Sequence, residues 1–527
     1  MKRFTVILLA LVLLVQLTAC VTPADTTGEP VLTTDTPTST TDKPADTTGT
    51  PYVTTAPPVT DTKPADQPLA FPSQIEGLKD HYQSNTVEIV YVEGNVNTYT
   101  ADSIYQAPYS ESGAIGDMVS YRNLMIQDAV GARIVVFTGE TLSPDQLYSY
   151  AKIYFDSQDP HLDIYAGTQY YDMSVATQAH LLDLEKVKNH RGETIVDIDA
   201  EYWPGEYIKE MNSDSATFWV TGELSLHYTV GAYCTFVNPT LYDEFVKKSF
   251  DGRSIFDLVK KGDWTVENML TMASLVYDDT DDSGAASEDD RLGMLFTPGE
   301  IFDGFALSTG VAFSNRSTSE NVTDSITLSI ANDENGLKLM NHLHTMMNAD
   351  HSLKTDSSDT ARMIFDRGQT LFYFDKLYTA DLYNHDNATY YHVLPLPKLD
   401  STQTNYMTGV HDNLTIYGVS RYSNCPQLAA ATLELMAYYS HDTLRNEFYN
   451  TFLRDCEHED DVRDMLELMH NTTRTDFVYA WGGSLDNISR IFRDTERPPH
   501  SGNSPYIETA KKLADVLAAL EAAANAD

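Results

Sequence analysis

The hydrophobic pattern is most regular in the first third of the chain. VEIVYVEG (87–94) and ARIVVFTG (132–139) are short, β-branched apolar runs closed by glycine, which predicts two strands. SYRNLMIQDAV (120–130) and SPDQLYSYAKIYF (143–155) place apolar residues at helical spacing between and after them. The pivotal stretch is LDIYAGTQYYDMSVATQAHLLDL (162–184), where Leu162, Ile164 and Ala166 alternate with Asp163 and Tyr165. Met173, Ala176, His180, Leu181 and Leu184 then recur at helical spacing, so a strand is predicted to run through a polar, aromatic turn into a helix. Strands and helices in alternation build an open α/β sheet, and ligands collect at the carboxyl ends of its strands. Gly167, Thr168, Gln169, Tyr170 and Tyr171 occupy that position. They offer amide, hydroxyl and aromatic surface but no nucleophile with a base beside it, a chemistry suited to holding a molecule rather than cutting it.

Further on, TFWVTG (217–222) and AYCTFVN (232–238) are predicted strands, and Pro239 opens a helix over LYDEFV. Helical patterns then dominate in SIFDLVKKG, WTVENMLTMASLVY, NGLKLMNHLHTMMN and TARMIFDRG, interspersed with the strands LGMLF (292–296) and TLFYFD (370–375). YYHVLPLPKLD and NLTIYGVS add two extended pieces, and from Pro426 onward the pattern is almost wholly helical. This order fits two lobes that exchange strands, not a repeat array.

The start of the chain reads differently. Met1, Lys2 and Arg3 precede an apolar run over 4–15, too short to span a membrane but right for the core of a signal peptide. The run ends in Leu17, Thr18, Ala19 and Cys20, which resembles the lipobox of bacterial lipoproteins. That resemblance implies cleavage at residue 20 and lipidation of Cys20 with palmitate-type chains. Each buried methylene contributes about 0.8 kcal/mol, so two or three chains would hold the protein on the extracellular face of the cell membrane. Residues 21–75 are built from Thr, Pro, Asp and Ala, with TPADTTGEP echoed by KPADTTGTP, and are predicted to form a disordered stalk.

Over the whole chain, 42% hydrophobic and 11% aromatic residues are ample for a sizeable core in 527 residues. A formal net charge of −42 repels a phosphate backbone, which excludes nucleic acid as a partner. Cys234, Cys425 and Cys456 remain beside Cys20, an odd number that argues against a disulfide framework and for buried small hydrophobes.

Several separated stretches together resemble the bacterial extracellular solute-binding proteins of the maltodextrin-binding type, the receptor components of ABC importers. They are AYCTFVNPTLYDEF, GDWTVENMLTMASLV, MIFDRGQTLFYFD, YYHVLPLPKLD and GVSRYSNCPQLAAATLELMAYYS, in the family's order. Departures are Val237 and Pro239 around Asn238, and Cys425 between Asn424 and Pro426. The resemblance implies a two-lobed, periplasmic-binding-protein-like α/β fold with a helical C-terminal region and three interlobe crossovers, near 228–232, 374–376 and 410–415. Lobe one would comprise 87–228 plus 376–410, and lobe two 232–374 plus 415–527. It also implies a monomer that closes around a small ligand and hands it to ABC permease subunits, with no enzymatic step and no required cofactor.

Aromatic residues near that cleft suit the apolar faces of sugar rings, with hydroxyls taken by amides and carboxylates. The candidate ligand-binding residues are Thr168, Gln169, Tyr170, Trp203, Tyr233, Phe302, Asp375, His411, Asp412 and Trp481. For the aromatics the competing reading is ordinary core packing. Asp375, His411 and Asp412 fall at crossovers, where polar groups serve either as hinge hydrogen bonds or as ligand contacts. Asp279, Asp281, Ser283, Ala285, Ser287 and Asp290 match the ligand positions of an EF-hand loop, with Gly284 at its sharp turn. This is either a structural calcium site or a solvated acidic loop. No HExxH, GxSxG or P-loop motif occurs. Two other readings remain open from residues alone: a surface glycan-active enzyme, and an adhesin or sensor lipoprotein without a transport role.

Overall fold

The computed structural model describes residues 69–81, 86–91, 113–131, 133–138, 144–316, 326–330, 333–382, 391–441, 443–453, 458–495 and 504–526. The signal segment, the Cys20 lipobox, most of the stalk and Cys456 lie outside the described residues. Residues 69–75, assigned above to the stalk, belong to the folded body, which begins at Leu69. Ile75 and Leu78 are buried, and Gln74 Nε2 donates to Glu434 Oε1 at 2.8 Å.

Among the described residues nine strands make the two principal sheets: β1 Thr86–Tyr91, β2 Arg133–Thr138, β3 Ile164–Thr168, β4 Tyr233–Val237, β5 Leu292–Phe296, β6 Ser352–Lys354, β7 Thr370–Lys376, β8 His392–Pro395 and β9 Thr415–Val419. The first sheet has the order β9-β3-β1-β2. Its β1 runs parallel to β2 and β3, and β9 lies antiparallel to β3 with Thr415 opposite Thr168. The second sheet has the order β8-β4-β7-β5-β6, in which β5 is parallel to both β6 and β7 while β4 is antiparallel to β7 and β8. Strands β4, β5 and β8 are buried along their whole length, as continuous apolar runs covered on both faces should be.

Helices Gly113–Val130 and Pro426–Ser440 pack together over the first sheet, and Val266–Val276 covers β5 of the second. Capping follows the sequence closely. Asn238 accepts from the amides of Thr240 and Leu241 at the start of the Pro239 helix, and Ser254 with Asp257 forms a capping box for Ile255–Lys260. Cys234 and Cys425 are buried, and neither is in a disulfide among the described residues.

Three expectations are corrected. The helix predicted over 173–184 is instead a short turn, Gln169–Asp172, followed by a 3-10 stretch, Met173–Gln178, that stops at Ala179 with φ 54°. Leu181 leaves helical geometry to bridge Ser420, and the Leu182 amide donates to Val419, so the segment extends the edge of β9. TFWVTG is not a strand; it contributes the single bridge Val220 to Tyr417.

The third correction concerns lobe membership. The chain leaves the first sheet through helix Leu226–Val230 and enters the second at β4. It returns at 410–415, where Val410 bridges Ala232. At 374–376, however, it does not change lobes: β7 ends, and the chain comes back as β8 on the free edge of β4, with His392 opposite Val237. The segment up to 410 therefore belongs to the second lobe, while β9 and helix Pro426–Ser440 belong to the first. A later crossing follows Ser440, because helix Glu459–Asn471 packs on β8.

Candidate functional site

Where the two lobes meet, the end of β3 is fastened to the returning crossover. The Gln169 amide donates to the Leu414 carbonyl and the Tyr170 amide to the Asp412 carbonyl, each at 2.9 Å. Beneath them Asp172 is buried, accepting from the Thr168 amide at 2.7 Å and the Tyr165 hydroxyl at 2.8 Å. Burial pushes its carboxyl up to about 7. Gly167 permits this approach, since a Cβ there would lie 2.7 Å from the Asp172 Cβ.

The opposite wall comes from the second lobe. Helix Glu300–Ser308 follows β5, and β7 ends in Asp375 and Lys376. Glu300 Oε2 lies 2.9 Å from Lys376 Nζ and 3.0 Å from His411 Nε2. The His411 ring and then Lys376 hold the Glu300 carboxyl well below its ordinary range. Burial opposes charge on Lys376, but Asp375 and Glu300 raise it to about 12. One turn along the helix, Asp303 is fully buried and paired with Arg493, and burial still pushes its carboxyl up to about 6.

A third piece of chain closes the site. The segment 477–493 sets Arg490 2.9 Å from Asp412 and lays its guanidinium 3.8 Å over the Tyr170 ring. The Tyr170 hydroxyl donates to Asn487 at 2.7 Å. Beside the second-lobe wall lies a cavity of about 350 Å³ lined by Tyr233, Glu300, Phe374, Asp375, Lys376 and Arg493, among others. Gly304 seats Tyr233, because a Cβ at that position would be 2.5 Å from the base of its ring.

Among the described residues, Gln169 Nε2, the Tyr233 hydroxyl and the Tyr479 hydroxyl are buried without a hydrogen-bond partner. Each side chain is at most 1% exposed. Burial pushes both tyrosines well above their ordinary values, and the carboxylates of Asp303 and Asp412 add to it. Buried polar atoms are usually paired, and of these three only the Tyr233 hydroxyl belongs to a residue that lines the cavity.

Of the ten residues proposed from sequence, Tyr233 and Asp375 line the cavity; His411 lies 3.0 Å from the lining residue Glu300, and Asp412 pairs with Arg490. Gln169 and Tyr170 are tied to the returning crossover and are not among the residues that line the cavity, and Thr168 holds the same turn through Asp172. Phe302 is core, packed on Phe296 with ring centroids 5.9 Å apart. Trp481 stacks on Phe477 and donates to the Met211 carbonyl at 3.0 Å, which is also a packing role. Trp203 sits elsewhere, donating to Glu434 at 2.8 Å beside a separate pocket of about 250 Å³ that includes Glu223 and His470. Sequence reading missed Glu300, Asp303, Lys376, Tyr479, Arg490 and Arg493; as isolated charges in an acid-rich chain most of them look like solvated surface.

The acidic loop lies between helix Val266–Val276 and β5. Asp279, Asp281 and Asp290 bring one carboxylate oxygen each to within 4.8 Å of one another. Gly284 turns the loop at φ 76°, and Asp279 accepts from the amides of Ser283 and Gly284. The Ala285 carbonyl accepts from Ser283 Oγ, and Ser287 Oγ donates to Asp281.

No protein-family model and no curated protein matches the sequence. Solved structures do. A cyclo/maltodextrin-binding protein complexed with maltotetraose is 10% identical, with a TM-score of 0.50 over 83% of this chain and 97% of that one. The galacto-N-biose-/lacto-N-biose I-binding protein of the ABC transporter from Bifidobacterium longum, in complex with lacto-N-biose, is 10% identical at a TM-score of 0.50 over 83% and 98%. The cyclic alpha-maltosyl-1,6-maltose binding protein from Arthrobacter globiformis is 12% identical at a TM-score of 0.50 over 83% and 100%. The chain thus has the two-lobed α/β fold of the maltodextrin-binding type of solute-binding protein.

Proposed function

We propose that this protein is an extracellular solute-binding protein of an ABC importer. It captures a small saccharide or sugar derivative between its lobes and releases it, unaltered, to permease subunits. The single observation that carries this reading is a cavity of about 350 Å³ at the ends of β5 and β7, lined by charged side chains and by Tyr233, whose buried hydroxyl has no partner among the described residues. A sugar offers a hydroxyl for the Tyr233 phenol and C–H faces for the rings of Tyr233 and Phe374. Neighbours of the same fold carry maltotetraose and lacto-N-biose, which supports a carbohydrate as the ligand class. Lipidation at Cys20, anchorage on the extracellular face and a monomeric state belong to the same proposal. Among the described residues no helix is long and apolar enough to cross a membrane.

A thermal-shift screen of the purified chain against mono- and disaccharides tests it. At a hundredfold excess over the dissociation constant a bound sugar adds about 2.7 kcal/mol of stability, a rise of several degrees. Stabilisation without release of reducing ends is expected. New reducing ends would establish a glycan-active enzyme instead.

We further propose that the 279–290 loop binds one calcium ion as a structural staple, on the convergence of its three carboxylates. Melting in calcium should then occur at a higher temperature than in EDTA. Identical transitions would remove the ion from the account.

A further inference from the structure

We propose that Glu223 is the pin of the hinge, a positioning residue whose carboxylate holds the passages between the lobes together and so sets saccharide affinity from outside the ligand cavity. This rests on the saccharide-binding reading above and adds to it a residue that lies away from the ligand. Glu223 is not among the residues that line the cavity of about 350 Å³; it lines the separate one of about 250 Å³.

The chain passes between the lobes at 226–232, at 410–415 and after Ser440, and parts of all three passages meet beside Glu223. The first begins three residues further on, in helix Leu226–Val230, whose Tyr228 hydroxyl is hydrogen-bonded to Thr473 Oγ1. The second follows Thr408–Gly409, which pairs in parallel with Thr473–Arg474. The third ends in helix Glu459–Asn471, whose last turn carries His470. The His470 ring meets the Tyr228 ring edge on, with centroids 6.1 Å apart.

Glu223 itself belongs to the first lobe. Arg122 of helix Gly113–Val130 is buried and donates through Nη1 to the Leu224 carbonyl at 2.9 Å and to Ser440 Oγ at 3.0 Å. From this fixed point the Glu223 carboxylate, 5% exposed, reaches His470 Nε2 at 2.9 Å, on a helix packed against β8 of the second lobe. Arg445 makes a second link. Its Nε lies 3.5 Å from Glu223, and its Nη1 donates to Glu467 of that same second-lobe helix at 3.1 Å. His441 Nδ1, from just after helix Pro426–Ser440, is 3.7 Å from the Glu223 carboxylate.

Burial opposes charge on Glu223, yet the His470 hydrogen bond, then Arg445 and His441, hold its carboxyl down to about 2. Taking one partner away from a buried ion pair is strongly destabilising, because it strands a charge out of reach of water. The lobes therefore turn about this cluster rather than part at it. Without the pin each lobe gains freedom that closing around a ligand must remove, and the fraction of chains poised to close falls. Affinity falls by the same fraction.

Calorimetric titration with the disaccharide that gives the largest thermal shift, paired with small-angle scattering of the sugar-free chain, tests the pin. Glu223→Gln is expected to weaken binding about 3- to 10-fold and to raise the radius of gyration without sugar, while saturation restores the parent value. His470→Ala should do the same, and it decides the matter if Glu223→Gln does not fold. His470→Gln keeps an N–H for the Glu223 carboxylate and should stay within about twofold of the parent affinity. Parent affinity and parent radius in Glu223→Gln and His470→Ala would overturn the pin. So would a lower melting temperature with affinity unchanged, which marks a stabilising contact only. If the parent binds no saccharide, the saccharide reading fails, and the sugar-free radius of the variants still decides the pin.

Discussion

Glu434→Ala should lower the unfolding free energy by about 3–5 kcal/mol, a large share of the total for any domain. Glu434 lies fully buried in helix Pro426–Ser440, and four donors converge on its carboxylate. Gln74 Nε2 and the Tyr202 hydroxyl reach Oε1, while Trp203 Nε1 and the Asp197 amide reach Oε2. The carboxyl thereby ties the first folded residues and the 197–203 loop to one helix, even though burial pushes it up to about 7. Alanine leaves a cavity and strands those donors together. Glutamine keeps the volume but turns an amide N–H₂ toward donors, so an intermediate loss of about 1–3 kcal/mol is expected. Urea melts of the two variants check this, and a loss below about 1 kcal/mol for alanine would show that the cluster does not fasten the lobe.

The second large effect falls on binding as well as folding. Gly483→Ala should weaken saccharide affinity about 10- to 100-fold, the equivalent of the 1–3 kcal/mol that overpacking typically costs. A Cβ on Gly483 would lie 2.3 Å from the Tyr170 carbonyl oxygen. That oxygen belongs to backbone already pinned through the Tyr170 amide to Asp412, so it cannot swing aside. The segment 477–493 must then lift, withdrawing Arg490 from Asp412 and Tyr170 together. The lift also breaks the pair of Arg490 with the buried Asp412, so the melting temperature without ligand should fall as well. Titration of parent and variant with the same sugar measures the difference; an unchanged dissociation constant would mean that this segment does not shape the site.

Strands and capped helices were legible in the sequence because each announces itself locally. LGMLF and YCTFV are buried on both faces and read as unbroken apolar runs, and Asn238-Pro239 and Ser254 mark helix starts by their own chemistry. Which sheet an edge strand joins is not a local property. HVLP and TIYGV are equally apolar, and only the free edges of β4 and β3 decide where each goes. The 173–184 helix failed for a related reason: Leu181 and Leu184 are buried as the period demands, but by a bridge to Ser420 and a separate 3-10 turn. In the site, the turn after β3 and the crossover residues His411 and Asp412 could be placed by position along the chain. The partners Glu300, Asp303, Arg490 and Arg493 could not, since long-range ion pairing leaves no periodic trace among 77 acidic residues.

The central claim is that two lobes close around a saccharide and leave it whole. Small-angle scattering of the purified chain, with and without the disaccharide that gives the largest thermal shift, tests it directly. The account predicts a smaller radius of gyration on saturation, restored when the sugar is dialysed away. A scattering curve that does not change on saturation would contradict it.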